Sequence, residues 1–337
     1  MIKFYQLLFF FTMILGTFIS ISSYSNMGMW MGLEINLLSI IPLMNNSKNL
    51  FSNEASLKYF ITQALASTIL LFTIILISSN FIMIKNINNP LIIIFNTSLL
   101  TKMGAAPFHF WFPEVMEGLS WMNCLLLLTW QKIAPMVLIM YNMNFPMFFF
   151  LIIIISMMVS GVMGLNQTSL RKIMAYSSIN HIAWMISSMF IMENIWLYYF
   201  FIYTFISINI IIVLSQMNIF YLKQMFTSMN NHLMIKLFFI MNFLSLGGLP
   251  PFIGFLPKWL TIQNLIENDY YFMSFMMIIL TLITLFYYMR MTFSTLMINI
   301  EELNFSKNIK LKNFLIMMSN FLIMISLVLC TLLFNFL

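Results

Sequence analysis

This chain is poor in charge: 15 Lys and Arg and 9 Asp and Glu in 337 residues, or 7%. A soluble domain carries about 25%, so most of this chain does not face water. Cysteine is nearly absent as well. Cys124 and Cys330 lie far apart in apolar runs, which makes them packing residues rather than a disulfide or metal pair. Also missing are a G-x-G-x-x-G after a strand, a P-loop, a C-x-x-C pair and any His/Cys grouping suited to haem or zinc. Any redox or hydrolytic chemistry that drives this protein must therefore occur in another chain. The net charge of +6 forms no clustered basic face, which argues against a nucleic-acid partner.

What is present is apolar. Hydrophobic residues make up 62% of the chain, and a bilayer-spanning helix needs about 20 of them in a row. Polar breaks divide the sequence into spans near 4–23, 27–44, 56–81, 90–115, 121–141, 146–165, 169–191, 195–221, 234–265, 271–297 and 313–336. With eleven spans the loops alternate sides. Lys3, Lys48, Lys58, Arg171, Lys172, Lys223, Lys236, Arg290, Lys307, Lys310 and Lys312 then fall on the side of the N-terminus. Lys85 alone falls opposite, together with Glu193, Glu267 and Asp269. Eleven cations against one satisfies the positive-inside rule, and adding or dropping one span would scramble it. The N-terminus is expected on the matrix or cytoplasmic side and the C-terminus outside. The first span lacks a charged leader and a small-residue cleavage site, so it is read as a membrane span and not a signal peptide. Met (35) and Phe (37) are abundant while Ala and Val are scarce. That choice fits an A+T-rich organellar gene in which an isoleucine codon is read as methionine.

Two spans carry the same interruption. The segment Gly104 to Pro113 and the segment Gly248 to Pro257 both read G-x-x-P-F-x-x-aromatic-x-P. The register is gapless, and the next residue is Glu114 in the first and Lys258 in the second. Proline removes a backbone donor and clashes with the carbonyl four residues earlier, so both helices are expected to break in mid-membrane. Freed backbone groups must find protein or water partners, which confines such breaks to the protein interior. The matching breaks lie five spans apart. Because five is odd, the repeat is expected to be inverted with respect to the membrane. The expected fold is an all-α polytopic membrane protein of eleven transmembrane helices. Residues 1–143 and 144–300 form two inverted five-helix repeats, each with a broken fourth helix, and residues 301–337 a loop and C-terminal helix.

Glu34, Lys102, Lys132 and Lys258 lie inside the apolar spans. A charge at the bilayer centre costs about 3 kcal/mol on insertion scales, so such residues usually mark ion pathways. Burial weakens an amine's hold on its proton and a nearby carboxylate strengthens it. A lysine set between these effects can exchange a proton near neutral pH, whereas arginine cannot. All three buried cations are lysine, which favours proton handling, with Glu34 the expected partner of Lys102. His181, in Ser177-Ser178-Ile179-Asn180-His181, can serve as a relay or as a hydrogen-bonded structural residue. His109 is a candidate helix-end partner of Glu114, His232 is read as a solvated loop residue, and Glu114 and Glu117 as solvated span ends. Lys58 fits snorkelling to a head group.

Four segments carry a family resemblance: Met31-Gly32-Leu33-Glu34-Ile35-Asn36, Lys102 to Pro113, Thr129-Trp130-Gln131-Lys132-Ile133-Ala134-Pro135, and Gly254-Phe255-Leu256-Pro257-Lys258-Trp259. With Ala175-Tyr176-Ser177-Ser178 before His181, they resemble the NADH dehydrogenase subunit 2 family of mitochondrial complex I. The likeness runs the length of the chain and is to the shortened animal form, which lacks the first three of fourteen helices in bacterial relatives. The resemblance implies an antiporter-like subunit of the membrane arm of proton-pumping NADH:ubiquinone oxidoreductase, in the mitochondrial inner membrane. By that resemblance Glu34 and Lys102 form a coupling pair, Lys132 is the central relay and Lys258 the terminal lysine of the proton path. It implies no cofactor in this chain, with NADH, FMN, iron–sulfur clusters and ubiquinone in partner subunits. It also implies neighbouring antiporter-like chains, a small membrane subunit and phospholipids as partners. A subunit of a multi-chain sodium/proton antiporter and a structural membrane scaffold are the alternatives.

Overall fold

The computed structural model describes residues 4–46, 49–79, 88–190, 192–229, 233–297 and 320–321. Helices α1 (Phe4–Ser22), α2 (Asn26–Met44), α3 (Leu50–Ser79) and α4 (Asn88–Met103) come first. Then follow α5 (Trp111–Gly118), α6 (Trp121–Leu128), α7 (Trp130–Met140), α8 (Pro146–Leu165) and α9 (Leu170–Met189). The series continues with α10 (Glu193–Met217), α11 (Leu222–Met229), α12 (Leu233–Gly247), α13 (Phe255–Glu267) and α14 (Tyr271–Met297). Among the described residues there is no strand, only an isolated bridge between Ser169 and Tyr221. Among the described residues, seven stretches are long and apolar enough to cross a membrane: α1, α2, α3, Trp121–Met140, α8, α10 and α14. The eleventh expected span, 313–336, lies outside the described residues except for Asn320 and Phe321. Cys330 and His232 also lie outside them.

The chain divides into two compact units between Ile152 and Ile153, inside α8. In the first, α1 and α2 pack closely over small residues. A Cβ on Gly16 would stand 3.0 Å from the Gly32 carbonyl oxygen, and one on Gly32 2.5 Å from the backbone nitrogen of Ser20. In lipid, where apolar contact gives no water-driven gain, such close backbone approach is what binds helices together. The opposite faces stay apolar: Phe11, Leu15 and Phe18 of α1 and Leu38 of α2 are exposed.

In the second unit, every residue of α9 from Ile173 to Met189 is buried. This helix is enclosed by its neighbours and packs against α10, α13 and α14. Its mid-section carries Ser177, Ser178, Asn180 and His181, all buried. Protein surrounds it on all sides, so it keeps polar residues that a lipid-facing helix excludes.

Both interruptions form, but glycine, not proline, ends the first half-helix in each. Gly104 (φ 76°) and Gly248 (φ 80°) adopt the left-handed conformation. The Gly104 amide donates to Thr101 (3.2 Å) and the Ala105 amide to Leu100 (3.1 Å); Gly248 and Leu249 repeat this to Ser245 (3.0 Å) and Leu244 (3.4 Å). These are Schellman caps, which satisfy the last carbonyls of a helix and need a residue without a Cβ penalty. The matched register continues: Phe108 donates to Ala105 and Phe252 to Leu249, then Phe112 to His109 and Leu256 to Ile253. The prolines come after each cap, where they prevent the helix from resuming at once.

A third interruption was not expected. Residues 121–140 form two helices, α6 and α7, that meet at Thr129 (φ −114°, ψ −73°). The Thr129 hydroxyl donates to the Leu125 carbonyl at 2.7 Å, a side-chain bond to the preceding turn that bends helices. A single threonine in an apolar run carries no such signal by itself. The short helix α11 was likewise absent from the sequence reading, which left residues 222–233 as a connection between two spans.

Candidate functional site

In the first unit the α4 cap places Lys102 in the last turn of the half-helix. The carbonyls beside it are held by side chains from other elements. Trp111 Nε1 donates to the Thr101 carbonyl at 3.0 Å, and Gln63 Nε2 to that of Lys102 at 3.4 Å. Lys102 is 7% exposed and lines a small cavity with Asn36, Tyr59, Gln63, Gln131 and Pro135. The cavity measures about 10 Å³, close to what one water needs. Its wall is fixed by a reciprocal amide pair between α2 and α7. Asn36 Nδ2 donates to Gln131 Oε1 at 3.0 Å, Gln131 Nε2 returns a bond to Asn36 Oδ1 at 2.9 Å, and the Tyr59 hydroxyl reaches Gln131 Oε1 at 3.5 Å.

Glu34 is an electrostatic neighbour of Lys102, yet the two do not form a contact ion pair. The ion pairs among the described residues join Lys58 to Glu54 and to Glu114, each at 3.0 Å. Glu34 is half-buried, because α2 turns the adjacent Ile35 and Leu38 outward. Its Oε1 is nonetheless enclosed and has no hydrogen-bond partner among the described residues. Lys132 follows Gln131 just after the Thr129 bend. It is 1% exposed, with Nζ 5.8 Å from the Phe112 ring centroid, an aromatic face that attracts a cation.

The second unit builds a related arrangement from the other side of its break. Lys258 lies in α13, just past its first turn, but its ammonium reaches back to α12. Nζ donates to the Gly247 carbonyl at 2.8 Å and the Leu246 carbonyl at 3.3 Å. Leu246 is the position matched to Lys102 by the 144-residue shift. Each break therefore has a lysine at the C-terminal end of the first half-helix, where the helix dipole favours positive charge. In the first it belongs to that helix; in the second it comes from across the gap. The Lys258 ammonium also lies 5.9 Å from the Trp184 ring centroid.

His181 is buried, with Nδ1 2.9 Å from the Tyr199 hydroxyl and its ring 5.0 Å from that of Tyr203. Both tyrosines belong to α10. Asn180, one residue earlier, donates to Thr284 Oγ1 of α14 at 3.3 Å. His109 Nδ1 lies 3.3 Å from the Pro107 carbonyl. Glu114 is bound by Lys58, and both are about half exposed. Lys58 is thus held in an ion-paired cluster with Glu54 and Glu114. The sequence reading missed Tyr59, Gln63, Gln131 and Trp184. The two glutamines are visible as polar residues in apolar runs, but nothing in the sequence pairs Gln131 with Asn36 or sets Trp184 beneath a lysine.

Residues 23–284 match the family of transmembrane subunits described as NADH:quinone oxidoreductase/Mrp antiporter. The chain belongs to that family. It is similar to the NADH-ubiquinone oxidoreductase chain 2 of Anopheles gambiae, 52% identical over 88% of this chain and 87% of that one. The protein of the same name from Lemur catta is 40% identical over 89% of this chain and 87% of its own. Among solved structures, a chain of respiratory complex I from Thermus thermophilus aligns with a TM-score of 0.87 at 22% identity, covering 98% of this chain and 79% of that one. A chain of the Mrp complex from Dietzia aligns with a TM-score of 0.72 at 14% identity, over 83% of this chain and 58% of its own. These two structural likenesses speak for the fold alone.

Proposed function

We propose that this chain is a core membrane-arm subunit of proton-pumping NADH:ubiquinone oxidoreductase, an antiporter-like protein of the mitochondrial inner membrane. Glu34, Lys102, Lys132 and Lys258 handle the protons, with His181 as a relay. The observation that carries the reading is the lysine at the end of a half-helix in both units, in a chain similar over most of its length to the chain 2 proteins. A lysine at such a point has carbonyls and a helix dipole beside it, and Lys102 also lines a cavity close to the size of one water. It can hold a proton and pass it on.

Quinone reduction in a partner subunit changes the charge along this series. At an effective dielectric near 20, two charges roughly 10 Å apart interact by about 1.7 kcal/mol, enough to change proton affinity more than tenfold. Each protonation step thereby biases the next. NADH, FMN, iron–sulfur clusters and ubiquinone belong to the partner subunits. Those partners include other antiporter-like chains and a small membrane subunit, with phospholipid against the exposed apolar faces.

The finer architecture follows the same reading. Eleven helices cross the membrane, residues 1–143 and 144–300 form inverted five-helix repeats, and 301–337 add the last span. The paired Schellman caps support the repeat. The lysine asymmetry supports an N-terminus in the matrix and a C-terminus in the intermembrane space.

Lys102→Met in the assembled complex tests the function. Proton pumping and the NADH oxidation coupled to it are expected to fall while the complex assembles. Unchanged pumping in an assembled complex would favour the scaffold reading. Sodium-driven proton flux without NADH would favour a multi-chain antiporter.

A further inference from the structure

The proposed path leaves unanswered how a proton reaches Lys258 from within its own unit. His181 is turned to α10, where Tyr199 holds its Nδ1. The neighbouring face of α9 carries Asn180 and Trp184, one turn apart and therefore adjacent on the helix surface. Each is 1% exposed. The Trp184 indole N–H, a donor, and Asn180 Oδ1, an acceptor, have no hydrogen-bond partner among the described residues.

A buried polar atom without a partner costs about 1–3 kcal/mol, so two on one face call for an occupant. The surroundings fit one. Trp184 lies beneath the Lys258 ammonium, and Asn180 is tied through its amide nitrogen to Thr284. Helices α13 and α14, which carry those two partners, pack against α9 and against each other. Lysine has three N–H donors, and the backbone carbonyls of Leu246 and Gly247 take two of them. One ammonium proton of Lys258 is thus left for this same face. A donor and an acceptor one turn apart on α9, with the Lys258 ammonium of α13 nearby, can hold water, which needs two to four polar partners in a buried site.

We propose that the Asn180–Trp184 face of α9 is a water-binding site that carries protons to and from Lys258. The inference deepens the proposed function and rests on Lys258 being a proton-handling residue. When Lys258 releases its proton, the N–H bond breaks and a bound water accepts it. That water gives up another of its own protons to the next water, and the amine remains neutral. Asn180 and Trp184 hold and orient the waters; neither gains nor loses a proton. They are positioning residues.

The experiment uses the whole complex in native membranes. Trp184→Phe keeps an aromatic ring beneath the ammonium and removes the N–H, and Asn180→Leu removes the acceptor. Each is expected to slow proton pumping about tenfold, the effect of losing one hydrogen bond worth about 1.4 kcal/mol, and to raise the solvent deuterium isotope effect on coupled turnover. A purely structural role would leave the isotope effect unmoved. Lys258→Met runs alongside. If it abolishes pumping while both other variants match the unaltered complex, the water site is overturned and the proposed function stands. If Lys258→Met pumps normally, the parent reading itself fails. Should either variant not assemble, a high-resolution map of the unaltered complex decides. Solvent density within hydrogen-bonding range of Trp184 Nε1 and Asn180 Oδ1 supports the site, and apolar atoms closing that space refute it.

Discussion

Lys258 stands near the N-terminal end of α13, where a helix dipole disfavours a cation, and escapes by reaching back to the opposite pole of α12. Under the proposed function the residue has two separable duties. As a donor it satisfies the Leu246 and Gly247 carbonyls; as an acid it can release a proton. Lys258→Met removes both and is expected to destabilise the unit by about 1–3 kcal/mol through the carbonyls left bare. Thermal denaturation of the complex would register this as an earlier transition. Lys258→Arg keeps a charged donor, but guanidinium does not deprotonate. Assembly should survive and pumping should be lost, which a native gel and a proton-uptake assay read separately.

The Asn36–Gln131 pair offers a second test at this scale. Either residue alone changed to Leu strands the other's amide and is expected to cost about 1–3 kcal/mol. The double variant should cost less than the two singles together, by a coupling of about 0.5–3 kcal/mol. Additive losses in a double-mutant cycle would show that the two amides act independently.

At the scale of the element, the caps at Gly104 and Gly248 decide where each half-helix stops. An L-residue in the left-handed region costs about 1–2 kcal/mol, so Gly104→Ala and Gly248→Ala are both expected to lower the amount of assembled complex. The two differ in what a new Cβ meets. At Gly104 it would approach the Phe112 side chain at 3.1 Å, and at Gly248 the Lys258 ammonium at 2.8 Å. Gly248→Ala should therefore also impair pumping per assembled complex, whereas Gly104→Ala should affect chiefly its amount. Pumping normalised to complex content separates these outcomes.

The breaks were legible as G-x-x-P motifs, but their cause was misassigned to proline. A proline pattern is a strong local signal, and it concealed the glycine three residues upstream that does the terminating. The Thr129 bend was not legible at all. Its hydroxyl either points to solvent or bonds the preceding turn, and only the packed environment decides which.

At the scale of the whole molecule, the charge asymmetry makes a topological prediction. Single cysteines at Lys223 and Glu267, both in described helices of the second unit, should label from opposite sides. The first should react with a membrane-impermeant thiol reagent only when the matrix face is open, the second from the intermembrane side in intact mitoplasts. Labelling of both from one side would refute the span count.

By itself the sequence determined the solvent, the helical class, most helix ends to within a few residues and the identity of the scarce charges. Each of these follows from local composition: in a bilayer, the length of an apolar run and the cost of a charge are decided residue by residue. Only the tertiary structure decided that α9 is enclosed, that Glu34 is half-buried and in no contact ion pair with Lys102, and that Lys258 turns back to α12. Those outcomes depend on which distant side chains share a space, and no local pattern carries that information.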